Sequence, residues 1–262
     1  MDAPVRLVIS GCGGRMGSLL VEEALKSKTH FLLTGAVEGA GHAQIGQPVV
    51  PNSKIRVTSD FHMVLKEADL VIEFTRPDVS MLHAQEAAKA RVPILIGTTG
   101  FTSSQFDQLQ ALSKQIPIFW SPNMSIGIVI VRRTIAAISK LLFNFGLGEQ
   151  TKVSLSETHH TRKLDKPSGT AKALAEELMK ATGWLIKDEE IDAKREGDVI
   201  GIHSVTFDNP SEKITVTHEA TDRRVFAQGA LLVARNFRVL FPKPGWYDMD
   251  HFVDAMQKGQ VH

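Results

Sequence analysis

Cysteine is almost absent: Cys12 is the one example in 262 residues, so no disulfide can close within the chain and a reducing compartment suits it. Charge of one sign is not in excess either. Lysine plus arginine number 30 against 29 aspartates and glutamates, a formal net charge of +1. No bulk field therefore draws the chain to nucleic acid or to a membrane surface, and any preference for anions has to come from local clusters. Long apolar runs are missing, none approaching the roughly 20 residues that span a bilayer. Residues 1–4 lead straight into an apolar strand without a basic start or cleavage site, so no secretory signal is expected. Repeats and low-complexity tracts are also lacking. What is present is ordinary for a globular protein, 43% hydrophobic and 23% charged, with length for one large domain or two small ones. The expectation is a soluble, cytoplasmic chain.

The first half alternates short β-branched runs with helical stretches. VRLVIS at 5–10 reads as a buried parallel strand, followed by a glycine turn and a helix over 15–26. Strands follow at 31–37, 55–58, 70–74, 93–97 and 117–120, with helices at 61–68, 78–90 and 103–114 between them. Near-continuous apolar strands in βαβ alternation predict an α/β, Rossmann-like parallel sheet covered on both faces. The rhythm changes near Asn123. A long helix over 125–142 precedes a half-wet strand at 151–158, a helix at 169–182, paired strands at 203–208 and 213–218, and a helix at 227–240. The charged stretch 187–197 reads as a mobile loop. These features predict a dinucleotide-binding domain at 1–122 and a second α+β domain with a mixed open sheet at 123–236, with 237–262 packing back on the first.

Between the first strand and helix lie Gly11, Cys12, Gly13, Gly14, Arg15 and Met16, then Gly17. Glycines permit a tight turn and close backbone approach, and a helix N-terminus offers free amides to a pyrophosphate. An ordinary βα turn would look similar. Glu38 ends the second strand about 20 residues on, where an acid accepts hydrogen bonds from an adenosine ribose. Strand, turn, helix, strand and acid in this order point to a dinucleotide. Gly97, Thr98 and Thr99 follow one later strand, and Ser121, Pro122, Asn123 and Met124 another. Both turns sit where open parallel sheets bind ligands, though routine loop chemistry would also explain them. Cys12 reads as a small packing residue rather than a nucleophile.

The second locus is ETHHTRKLDKPSGTA, residues 157–171. His159, His160, Arg162, Lys163 and Lys166 precede a helix start at which Ser168 is the expected N-cap and Gly169 and Thr170 open the first turn. A carboxylate settles readily at such an end. The histidines and Lys163 suit a second carboxylate or a proton transfer. The cluster therefore predicts a small dianionic substrate that is reduced and then protonated. A solvated basic loop is the bland alternative. A His-His metal site lacks a third ligand nearby other than Glu157, so no metal is expected.

These residues resemble the 4-hydroxy-tetrahydrodipicolinate reductase (dihydrodipicolinate reductase) family along nearly the whole chain. The matching blocks are GCGGRMG at 11–17, Glu38, DLVIEFTRP at 69–77, IGTTGF at 96–101, PNMSIGI at 122–128 and ETHHTRKLDKPSGTA at 157–171, with FAQGAL at 226–231 and PGWYDM at 244–249. The resemblance implies NAD(P)H-dependent reduction in the diaminopimelate route to lysine, two domains joined by hinges that close over substrate, and a homotetramer. It implies His159 as general acid/base and Lys163 as proton donor. By the same resemblance His160, Gly169 and Thr170 bind the substrate carboxylates. Gly11 to Met16, Glu38, Gly97 to Thr99 and Ser121 to Met124 meet the cofactor. The tetramer would pack together sheets with one uncovered, partly apolar face. Two rivals remain: another two-domain dehydrogenase acting on an amino or keto acid, and a non-catalytic dinucleotide sensor. H-H-x-x-K before P-S-G-T speaks against both.

Two departures matter. Gly39 stands where many relatives carry a basic residue facing a 2′-phosphate, so NADH is the expected preference. Arg15, in the glycine turn, is expected to reach part of that phosphate, which leaves NADPH usable. The stretch before R-x-G-D-x-x-G-x-H at 195–203 is also shorter than usual, which bears on substrate-loop closure and subunit contacts.

Overall fold

The computed structural model describes residues 3–259. Two compact units emerge, Met1–Met124 with Arg224–His262, and Ser125–Arg223.

The first unit is built on a seven-stranded sheet, all of whose pairings are parallel. Its strands are β1 (Val5–Ser10), β2 (Phe31–Val37), β3 (Val57–Thr58), β4 (Leu70–Glu73), β5 (Ile94–Ile96), β6 (Pro117–Trp120) and a late strand written here β11 (Gly245–Tyr247). In space they run β11-β6-β5-β4-β1-β2-β3. The order reverses beside β1, so the crevice outside its carboxyl end is where such sheets bind ligands. Both faces are covered. On one, α2 (Phe61–Leu65), α3 (Pro77–Ala90) and α4 (Ser103–Ser113) pack Leu65, Met81, Ala84 and Leu109 against Val8, Val71, Ile94 and Ile118. α1 (Arg15–Lys26) buries Gly17, Leu20, Val21 and Ala24, the spacing of one helical face. α7 (Arg224–Leu240) lies beside it, with Gln228 Nε2 donating to Glu23 at 3.2 Å. Phe237 of α7 meets Phe119 of β6 edge-on, centroids 6.5 Å apart. α8 (Met249–Gln257) closes the unit, capped by Asp248.

The second unit has α5 (Ile126–Asn144), β7 (Lys152–His159), α6 (Gly169–Thr182), β8 (Asp192–Arg195), β9 (Gly201–Asp208) and β10 (Lys213–Ala220). Its sheet runs β10-β9-β7-β8 and is mixed, with only β7–β8 parallel. Val131, Ile135, Leu174 and Leu178 from the two helices pack on Leu155, Val205 and Phe207. The other face carries hydroxyls. Ser204 and Thr206 of β9 pair with Thr217 and Thr215 of β10 at 2.9 and 3.1 Å, beside Ser154, Ser156 and Thr158 of β7. The partly apolar outer face expected from the sequence is thus corrected to a polar, threonine-rich one.

Two further expectations change. The second unit ends at Arg223, not at 236, because α7 buries its apolar face in the first unit. The charged stretch 187–197 is not a plain loop. It holds a 3-10 turn at Asp188–Glu190 and the edge strand β8, anchored by the buried Ile191 and Ala193. Among the described residues no helix is long and apolar enough to cross a membrane.

Candidate active site

Parallel pairing places the carboxyl ends of β1, β4, β5 and β6 along one edge, and the turns selected from the sequence lie there. Gly11 adopts φ +77°, and a Cβ on it would strike the Phe74 carbonyl, so only glycine fits. Gly14, the N-cap of α1, gives no side-chain cap, and the first turn of α1 carries no acid. The orphan amides of that turn form the donor pattern a pyrophosphate takes. Glu38 Oε1 accepts from the Gly13 amide at 2.8 Å, drawing the acid at the end of β2 onto the turn. The turn and Glu38 together fit a nicotinamide dinucleotide. Cys12 is buried, and burial, with Glu38 beside it, pushes its thiol up to about 12. It stays protonated and packs.

Thr98 is buried; its Oγ1 accepts from the Thr75 amide at 3.1 Å, and its carbonyl accepts from Trp120 Nε1 at 3.1 Å. Gly97 has room for no Cβ against the Phe74 ring, and Thr99 is exposed. Ser121 Oγ donates to the Asn123 carbonyl at 2.7 Å and shapes the turn through Pro122 to the buried Met124. Behind these turns lies a group the sequence reading did not single out. Glu73, fully buried at the end of β4, meets His83 Nδ1 at 2.8 Å and Ser80 Oγ at 3.1 Å, and accepts from Thr75 Oγ1. Ser80 Oγ also reaches Thr98 Oγ1 at 2.8 Å. Glu73 and Thr75 of DLVIEFTRP, with Ser80 and His83 of α3, thus form a polar scaffold beneath the Thr98 turn.

The second unit brings together the other predicted residues. His159 ends β7 and is buried, as is His160 next to it. Lys163 follows in a turn whose amide donates to the His160 carbonyl at 3.1 Å, and its Nζ rests 2.8 Å from Asp165. Ser168 caps α6 through the Ala171 amide at 3.2 Å, leaving Gly169 and Thr170 at the helix mouth. Gly169 has open space around it, which suits close approach of a carboxylate.

Three residues around His159 were not selected from the sequence as site residues. Glu157 lies two positions back on the same face of β7, its Oε2 2.5 Å from His159 Nδ1. Arg195 of β8 donates to Glu157 Oε1 at 3.0 Å, and the Ser168 amide donates to the same oxygen at 3.1 Å. His203 faces Glu157 across the β7–β9 pair. Glu157, His159 and His203 offer donor atoms all within 4.8 Å of one another, so the third donor sought near the histidine pair comes from β9 as well as β7. Burial lowers the His159 pKa, with Lys163 and Arg195 pushing the same way and Glu157 opposing. For Glu157, burial pushes upward, but the Ser168 bond, His159 and Arg195 prevail and hold it below the usual range. The cluster thus pairs a persistent carboxylate with an imidazole that stays largely neutral near pH 7.

With this geometry in view, the sequence likenesses are decisive. The family profile described as dihydrodipicolinate reductase, N-terminus, matches residues 5–124, and that for the C-terminus matches residues 127–253. The chain belongs to the dihydrodipicolinate reductase family. Its function is that of the family, NAD(P)H-dependent reduction in the diaminopimelate route to lysine. A 4-hydroxy-tetrahydrodipicolinate reductase from Desulfovibrio desulfuricans is 35% identical over 247 residues, covering 87% of this chain and 92% of that one. Another from Lawsonia intracellularis is 42% identical over 182 residues, 63% of this chain and 69% of that one. A dipicolinate-bound dihydrodipicolinate reductase from Paenisporosarcina sp. TG-14 has the same fold, with TM-score 0.77 at 21% identity over 95% of this chain and 99% of that one.

Proposed function

We propose that this chain reduces 4-hydroxy-tetrahydrodipicolinate to tetrahydrodipicolinate with His159 and Lys163 as its proton-transfer residues and NADH as its preferred reductant. The observation that carries the reading is the cluster of His159, Lys163 and the α6 N-terminus at the end of one strand. The reduced nicotinamide supplies the hydride. Gly169 and Thr170, at the positive end of α6, take one substrate carboxylate, and His160 takes the other. Lys163 exchanges Asp165 for the anionic substrate and delivers a proton to it, assisted by His159. Cations and helix amides stabilise negative charge as it develops on the ring.

Glu38 and the glycine turn hold the adenosine end, with Gly39 offering no charge to a 2′-phosphate. We also place the protein in the cytoplasm as a homotetramer. That assembly is supported by the family resemblance and the prevalence of closed symmetric oligomers, not by the hydroxyl-lined outer face of β7, β9 and β10, which water also suits. A light-scattering mass equal to the 28.8 kDa chain at micromolar concentration would remove the tetramer.

The test of the reaction is direct. Freshly condensed pyruvate and aspartate semialdehyde are added with NADH, and the loss of nicotinamide absorbance is followed. Rapid loss is expected. Loss only with a different keto acid would favour another two-domain dehydrogenase, and NADH binding without turnover a sensor.

A further inference from the structure

The segment R-x-G-D-x-x-G-x-H, residues 195–203, has no part in the reaction as assigned above, yet it frames His159. Arg195 sits opposite His159 in the β7–β8 pairing. Besides Glu157 Oε1, its guanidinium reaches the Lys163 carbonyl at 3.3 Å and the Asp165 carbonyl. A Cβ on Gly201 would come within 3.0 Å of His159 Nε2 and 3.6 Å of His203 Cε1, so a larger residue would press on the imidazole. The His203 ring stands edge-on to His159, centroids 5.0 Å apart, and its Nε2 reaches Ser168 Oγ at 3.2 Å.

We propose, resting on His159 as the acid/base, that Glu157 is its positioning residue and that Arg195, Gly201 and His203 hold this pair in place. A carboxylate beside Nδ1 favours the tautomer with the proton there and stabilises the imidazolium, leaving Nε2 to exchange protons. The Nδ1–Oε2 approach of 2.5 Å is a close contact that becomes an ion pair when the imidazole is protonated, and it is not yet an aligned hydrogen bond. Such contacts align when substrate binds. The charged and titratable groups facing His159 are Glu157 on its own strand, Lys163 in the following turn, Arg195 on β8 and His203 on β9. Glu157 is the anion among them, and Arg195 with the Ser168 amide keeps it ionised. His203 contributes shape without charge, because burial, and then His159, push its pKa down to about 3. The same three donors would also admit a divalent cation, but Arg195 already occupies Glu157 and Lys163 adds a second positive charge.

The test uses the full chain. In the wild type, ring-nitrogen NMR should show neutral His159 protonated on Nδ1; a dominant Nε2–H form overturns the proposal without any variant. Glu157→Gln should lower kcat about ten-fold or more, part of the general acid–base effect. The affinity for NADH should stay within about two-fold, because the cofactor fold lies elsewhere in the chain. The limb of the pH–kcat profile set by His159 should move to lower pH, since the group that raised its pKa is gone, and the tautomer ratio should shift towards Nε2–H. Glu157→Asp, which keeps the charge, should recover part of the lost rate. Wild-type kcat, limb and tautomer in Glu157→Gln, alongside an impaired His159→Ala, overturn the positioning role alone. Full activity in His159→Ala would instead remove the acid/base assignment beneath it. One equivalent of zinc retained after dialysis against a chelator would overturn the proposal in favour of a metal site.

Discussion

Glu38 and Gly13 are tied by a 2.8 Å hydrogen bond from the glycine amide to the carboxylate, and the second Glu38 oxygen accepts from the Gly39 amide at 3.2 Å. Both oxygens of the acid, at the end of β2, are thus tied to backbone amides in the place proposed above for the adenosine ribose. A 2′-phosphate carrying close to two charges, about 4 Å from that carboxylate, is repelled by roughly 2 kcal/mol even in bulk water. We expect kcat/KM to favour NADH by about ten-fold or more, since ~1.4 kcal/mol is a factor of ten. A Cβ on Gly39 would meet nothing within 4 Å, so Gly39→Arg should start into open space and narrow the gap, chiefly through KM for NADPH. Equal use of both cofactors by the wild type would show that Arg15 or another cation already offsets the repulsion.

Lys163→Ala and His159→Ala should each lower kcat by about 10²- to 10⁴-fold while the dissociation constant for NADH stays near wild type. Steady-state kinetics with a separate fluorescence titration of NADH distinguish the two effects. Near-normal turnover in both variants would remove the cluster from the proton transfer.

Much of this was written locally. α6 runs from Gly169 to Thr182 as its pattern predicts, because Ser168 caps one end and Gly183, at φ +80°, ends the other. The glycine turn between β1 and α1 was equally plain, since its glycines, strand and helix are contiguous. β8 was missed because a four-residue edge strand reading DAKR shows no apolar alternation. His203 and Arg195 were missed as partners of Glu157 because pairing across a sheet joins residues 46 and 38 positions apart, which no local period reveals. The Glu73 scaffold was hidden for a related reason: its partners Ser80 and His83 lie on the following helix, and the motif around it was legible only as a resemblance.

Acid should weaken the fold before ordinary carboxylates protonate. His203 has its folded pKa lowered to about 3, chiefly by burial, against an unfolded value of 6.5. Between those values the unfolded chain binds the extra proton, so stability is full above pH 6.5 and is lost as pH falls through this window. His159 and His218, both lowered first by burial, add in the same direction. Urea midpoints should therefore fall between pH 6.5 and 5, by up to about 1.4 kcal/mol per pH unit for His203 alone. His203→Asn should flatten that dependence. An unchanged slope would assign the acid sensitivity to other groups.

Glu73→Ala should cost about 1–3 kcal/mol in urea unfolding, because it strips a fully buried carboxyl from His83, Ser80 and Thr75, of which His83 keeps Ser10 and Ser80 keeps Thr98. A loss below about 1 kcal/mol would mean that the site relaxes or that water replaces the carboxyl.

Ser168 performs three tasks with one residue. Its hydroxyl caps α6 and touches His203, and its amide holds Glu157. The helix mouth assigned to the substrate carboxylate and, through Glu157, the His159 ring assigned to the proton are therefore joined at a single hub. A change at Ser168 should reach grip on substrate and speed of protonation together. Variants at this hub should trade one against the other along a common line, and drift towards a new acid substrate would have to begin elsewhere on α6.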